Sequence, residues 1–232
     1  MIVAESALTS GDAGGGSSSY NTASVTPGAN RLVLVAVENA KDGSTDPNTP
    51  TLSGNGITWV QVATVLYEST GSIRTRLTLF RGLAALPTGG AITIDLAGQT
   101  SYYIAWSVAA FAVVNVATPV VQSAVASGTG TSLAATLAAF GSAANATYGA
   151  CSHRAGEASS PGSGFAEIHD LVQGGGFDLE TEWRVDNDTS VDASWVTSAV
   201  CGCIAVEIAA ASAGERTVAG RGVGRGVMRG GR

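Results

Sequence analysis

The sequence predicts an all-β protein, an antiparallel β-sandwich of jelly-roll-like type with about a dozen strands. Three observations carry that expectation. Glycine is frequent, 31 of 232 residues, and with proline it cuts the chain into short segments. Those segments alternate apolar and polar residues or run continuously apolar, which is the strand signature, whereas 3.6-residue spacing is scarce. Charged residues make up only 13% and hydrophobic ones 45%, enough apolar side chain to bury a core and too little charge for disorder.

Taken in order, the predicted strands are Asn21 to Val25, Arg31 to Glu38, Thr58 to Tyr67, Ile73 to Arg81, Ala91 to Leu96 and Tyr102 to Val114. A second series follows: Ser132 to Phe140, Ala146 to His153, Phe165 to Val172, Phe177 to Val185, Ser190 to Val196 and Val200 to Ala209. Leu133, Leu137 and Phe140 also fit a capped helix behind Thr131 and Ser132. Gly128, Gly130 and Gly141 leave it so little length that a strand is preferred.

The two series share an order of features. Ala29-Asn30 matches Ala144-Asn145, Gly56 matches Gly164, Phe80-Arg81 matches Trp183-Arg184, and Ile104 to Ala110 matches Val200 to Val206. The expected organisation is a flexible arm over 1–19, a sandwich over 20–212 with halves at about 20–120 and 128–212, and a separate tail over 213–232.

Charge divides the chain more sharply than its net −6 suggests. Met1 to Glu215 hold all 18 acidic and 7 of the 12 basic residues, a net of −11. The remaining five arginines all fall between Arg216 and Arg232. An acidic body repels phosphate backbones, so no nucleic acid is expected as a partner of the sandwich. The N-terminus lacks a basic stretch followed by an apolar one, which argues against an export signal and for synthesis in the cytoplasm. The run Ile104 to Val114 falls short of a membrane helix, and no membrane association is expected.

No catalytic residue and no cofactor is expected. Alternation places Asp178, Glu180, Glu182 and Asp186 on one face of a strand and Leu179, Thr181, Trp183 and Val185 on the other. The acidic face reads as solvated, with charges that discourage edge pairing. Glu180 and Glu182 could serve a polysaccharide hydrolase, since residues two apart on a strand lie about 7 Å apart, but hydrated surroundings would raise neither pKa. Asp186, Asp188 and Asp192 are weak candidates for a hard cation. Their spacing is not that of a calcium loop, and turn chemistry explains them as well as it explains Asp42, Asp46 and Asn48. His153 and His169 read as structural or surface residues.

Cys151, Cys201 and Cys203 read as free buried thiols, with a bond from Cys151 to either of the others as the alternative. Tyr20, Tyr102, Tyr103 and Trp106 could form a sugar-stacking platform but read better as core. In the tail, Arg216, Arg221, Arg225, Arg229 and Arg232 recur at near-regular spacing among glycines. Bidentate pairing with an acidic partner suits them, with Val218, Val223 and Val227 filling small pockets.

Four stretches carry a resemblance: Asn30 to Val37, Leu77 to Arg81, Asn145 to Gly149 and Asn187 to Trp195. They resemble β-sandwich proteins of tailed bacteriophages and prophages, over roughly Ser19 to Ala210. The resemblance implies a structural component of the virion, a decoration or tail-fibre protein that meets capsid or tail subunits and works as a homo-oligomer. Its motifs are structural, and no functional residue carries over. A host-surface or glycan-binding module is the alternative expectation.

Overall fold

The computed structural model describes residues 3–212 other than 69 and 174. Among them there is no helix, and thirteen strands form three antiparallel sheets. The first leaf of the sandwich contains β1 (Ala4–Gly14), β3 (Leu32–Asp42), β5 (Trp59–Glu68), β6 (Ile73–Gly82) and β8 (Tyr103–Ala112), in the order β1-β8-β3-β6-β5. The second leaf contains β9 (Val120–Thr136), β10 (Ala146–His153), β11 (Ala166–Gln173), β12 (Phe177–Arg184) and β13 (Ser190–Ile208), in the order β11-β12-β10-β13-β9. A small sheet, β2-β7-β4, is made from β2 (Ser19–Asn21), β4 (Thr51–Ser53) and β7 (Thr93–Asp95).

Residues 4–14, expected within a flexible arm, instead form β1, paired with β8 along its whole length. Small and polar residues dominate AESALTSGDAG, so the strand has no alternation to announce it. The segment from Leu133 is strand as far as Thr136, as preferred over a helix. The two last predicted strands are one, β13.

Each leaf is drawn from one half of the chain, unlike the interleaved strands of a jelly roll. The two leaves repeat one pattern. Leu34 lies between Arg81 and Ala109 as Tyr148 lies between Trp183 and Val206. Glu38 lies between Leu77 and Ala105 as Ser152 lies between Leu179 and Gly202. Both leaves also carry a bulge at the matching place, between Gln61 and Ala63 in β5 and between Glu167 and His169 in β11. Register therefore makes Arg81, rather than Phe80, the counterpart of Trp183. The sequence alignment was one residue out, a slip that exchanges the two faces of a strand.

The leaves face each other with their strand orders reversed, β1 over β11 and β5 over β9. An approximate two-fold axis along the strands relates them. Leu32, Leu34, Leu77, Leu79, Tyr103 and Phe111 from one leaf meet Tyr148, Phe177, Leu179, Ile204, Val206 and Ile208 from the other in the main core. Each outer face then needs its own cover. On the first leaf Val33, Val35, Val37, Phe80, Ile104 and Val108 pack beneath Ile92, Ile94 and Leu96 at and around the small sheet. That is why β3 reads as apolar on both faces.

On the second leaf the cover comes from β9 and β13 themselves. Their pairing breaks between Ser194 and Ala199, and beyond the break Val191, Ala193, Ala135 and Leu137 pack back over Cys151, Cys203 and Ala205. Ser160 and Ser194 exchange backbone hydrogen bonds, and the Trp195 indole N–H donates to the Gly130 carbonyl at 3.0 Å, fastening the bend. Val191 sits directly on Gly149, where a Cβ would collide with it and with Glu182.

Gly149→Ala should therefore lower stability by about 1–3 kcal/mol, the usual cost of overpacking. Gly128→Ala, whose Cβ would meet Leu133 at an ordinary 3.6 Å, should leave the urea midpoint close to wild type. Equal midpoints for the two variants would contradict the fold-back.

Candidate functional site

The cover determines the fate of the acidic strip. Asp178, Glu180 and Glu182 do share the face opposite Leu179, Thr181 and Trp183, but all three are fully buried beneath the returning ribbon and the loop before β11. The expectation of a solvated face is overturned, because alternation tells which face a residue takes and not what lies over it. Asp186 alone is solvent-facing, and the Arg184 guanidinium holds it.

The strip lies across three strands in register. Asp178 stands beside His153, Glu180 beside Cys151 and Asp170, and Glu182 beside Gly149 and Glu167. Asp178 Oδ2 accepts a hydrogen bond from Ser159 Oγ at 2.7 Å and lies 3.2 Å from His153 Nε2. The His153 ring stacks on Trp195 with centroids 4.3 Å apart. Glu182 Oε2 accepts the Gly162 N–H at 2.8 Å, while neither oxygen of Glu180 has a hydrogen-bond partner.

Burial without a neighbouring cation raises the pKa of a carboxyl group. Burial, and then the charges of Glu182, Asp178 and Asp170, push Glu180 well above the ordinary carboxylate range. Burial pushes Glu182 up to about 7, against the relief given by the Gly162 N–H. Asp170 rises to about 8 through burial and the adjacent Asp178. The nearby arginines are committed elsewhere, Arg184 to Asp186 and Asp188 and Arg154 to Glu68. The expected hydrated surroundings of Glu180 and Glu182 are thus also overturned.

Ser159, His153 and Asp178 bring together the residue types of a nucleophilic triad, but not its geometry. One nitrogen, Nε2, faces both Ser159 and Asp178, and Nδ1 accepts the Ala155 N–H at 3.1 Å. A triad needs the serine and the carboxylate on opposite nitrogens. With all three side chains buried, the arrangement anchors the loop after β10 to the second leaf.

A second buried acid lies between the leaves and was missed in the sequence. Glu38 Oε1 accepts the Tyr67 hydroxyl at 2.5 Å, and that hydroxyl oxygen lies 2.7 Å from Ser152 Oγ. Burial pushes Glu38 up to about 8, against the lowering by these hydrogen bonds. Its phase with Leu32, Leu34 and Ala36 was the available signal. A second polar bridge joins Ser107 to Thr181 at 2.8 Å and to His169 Nδ1 at 2.9 Å, and burial lowers the His169 pKa.

The remaining candidates disperse. Arg184 binds Asp186 and Asp188, whose Oδ1 also accepts the Ser190 N–H, as turn chemistry predicts, while Asp192 is exposed on β13. Among the described residues no three His, Cys, Asp or Glu side chains are placed to hold a metal ion. Cys151 and Cys203 are directly opposed on β10 and β13 and form a disulfide, so the free-thiol reading holds only for buried Cys201. Tyr103 faces the main core and Trp106 the core under the small sheet, on opposite faces of β8. Tyr20 bonds Ser101, and no platform results. Arg216, Arg221, Val223, Arg225, Val227, Arg229 and Arg232 lie outside the described residues.

Comparison with protein-family models, curated proteins and solved structures finds no match.

Glu38, Asp170, Glu180 and Glu182 all have carboxyl pKa values raised by folding. Each favours the folded state below its unfolded value of about 4, and the benefit is lost as pH rises through the folded value. Stability should fall steadily from about pH 5 to pH 9, and Glu38→Gln should flatten that fall. A wild-type urea midpoint higher at pH 9 than at pH 6 would contradict these assignments.

Proposed function

We propose that the protein is a structural component of a tailed-phage virion, a β-sandwich displayed on the particle and anchored through its C-terminal tail to an acidic partner. The observation that carries the reading is the division of charge, −11 over Met1 to Glu215 against five arginines and no acid beyond it. An Arg/Gly segment recognises carboxylates through forked, bidentate hydrogen bonds, and an acidic body keeps it from binding phosphate surfaces indiscriminately. The buried state of the second leaf supports the same reading. Ser159 and His153 hold Asp178, the Gly162 N–H holds Glu182 and Trp195 fastens the cover, as suits a part whose role is to persist and to be held in place.

Deleting Gly214 to Arg232 should leave the far-ultraviolet circular dichroism spectrum and melting of the body unchanged and abolish incorporation into particles. Normal incorporation of the truncated chain would exclude tail anchoring.

A further inference from the structure

The sandwich has four edge strands, and three of them are guarded. β1 carries Glu5, Asp12 and a bulge at Leu8, and it closes against β11 through the Gln173 amide donating to Asp12 Oδ1 at 2.6 Å. β11 carries the exposed Glu167 and a bulge. β5 is interrupted by two bulges and ends in Glu68, paired with Arg154. Charges, bulges and mutual cover are the ordinary means of keeping an edge from recruiting another strand.

β9 is different. Its sequence, VVQSAVASGTGTSLAAT, has no charged residue and no proline, and among the described residues it pairs only with β13. The ladder runs unbroken from Gln122 to Gly130. Val121 and Val125 are 55% and 50% exposed on it, and Val60 on neighbouring β5 is 44% exposed, whereas on the opposite side wall the exposed Val172 of β11 lies among the charged Glu167 and Asp12.

We propose that β9 is the interface of a homodimer, pairing antiparallel with β9 of a second copy about a two-fold axis at Val125. Charge selects the occupant. A body of net −11 repels its own copy except where charge is lacking, and a cationic partner gains nothing on an uncharged strand. An antiparallel strand about a two-fold axis is self-complementary by construction. Centring on Val125 overlaps the unbroken run from Gln122 to Gly128 with itself, clear of the bulge at Val121. It sets Val125 against its symmetry mate and Ser123 against Ser127 of the other copy, pairings favourable on a sheet face. The overlapping run is roughly 23 Å long at about 3.3 Å per residue, slightly longer than an ordinary strand. This dimer does not depend on the tail, so its failure and the failure of tail anchoring are separate results.

Light scattering behind size exclusion on the full chain, across a dilution series, should give twice the 23.1 kDa monomer mass, and Val125→Lys should halve it with an unchanged circular dichroism spectrum. Under mild oxidation Val125→Cys should form a disulfide-linked dimer several times faster than Ser123→Cys, which tests the register even if the lysine variant does not fold. A monomer at every concentration overturns the proposal, as does a dimer that survives Val125→Lys. Equal cross-linking of the two cysteine variants overturns the axis. A full chain that is monomeric while a chain ending at Ser212 dimerises would assign the edge to the tail and overturn it too.

Discussion

The return of the β9–β13 ribbon across the outer face of the second leaf is the constraint on which the rest of that leaf depends. The bend costs regular pairing between Ser194 and Ala199, and it is held by Trp195, which bonds the Gly130 carbonyl and stacks on His153. Once the ribbon is down, a face that would have met water meets Val191, Ala193 and the backbone at Gly162. Glycine at 149 gives Val191 its seat. Burial, and for Glu180 and Asp170 the neighbouring carboxylates, then push the carboxyl pKa values of Glu180, Glu182 and Asp170 upward, with no cation beside them among the described residues.

The first leaf shows that the fold itself does not require this chemistry. By register, the positions of Glu180, Glu182, Cys151 and Cys203 are occupied in the first leaf by Thr78, Phe80, Val37 and Trp106. Val37, Phe80 and Trp106 lie under the small sheet in an apolar cluster with Ile92, Ile94 and Leu96, and Thr78 is buried beside Thr64. The same five-stranded pattern thus accepts two different outer layers, one a separate sheet and the other its own longest hairpin-like pair. What is common to both leaves is the inward face, where the main core and the polar bridges at Glu38 and Ser107 fix how the leaves meet.

The strand signature was legible over most of the chain, though not in β1 or in β9 before Ser132. It placed β10 at its observed limits, put Leu179, Thr181 and Trp183 on one side of β12, and made β3 a strand buried on both faces. Exposure was not legible, because what covers a face is decided by residues far away in sequence. Glu182 is covered by Gly162 and, at neighbouring Gly149, by Val191, and nothing near Glu182 in the chain says so. Cysteine pairing stayed open for the same reason, since the opposition of Cys151 and Cys203 exists only once β10 lies beside β13. The repeat was visible as an order of features but misaligned by one residue, because similar residues at Phe80 and Trp183 outweighed the face on which each one sits. Glu38 was the missed residue that alternation alone could have found.

Whether the returning ribbon closes the second leaf is tested most directly by amide hydrogen exchange of the native chain. If it does, the amides of Val191 and Ala193 exchange with protection comparable to that of Ala150 and Cys151 in β10, because opening one exposes the other. Rapid exchange at Val191 and Ala193 while β10 stays protected would show the ribbon to be detached, and the buried carboxyl cluster would have to be given up with it.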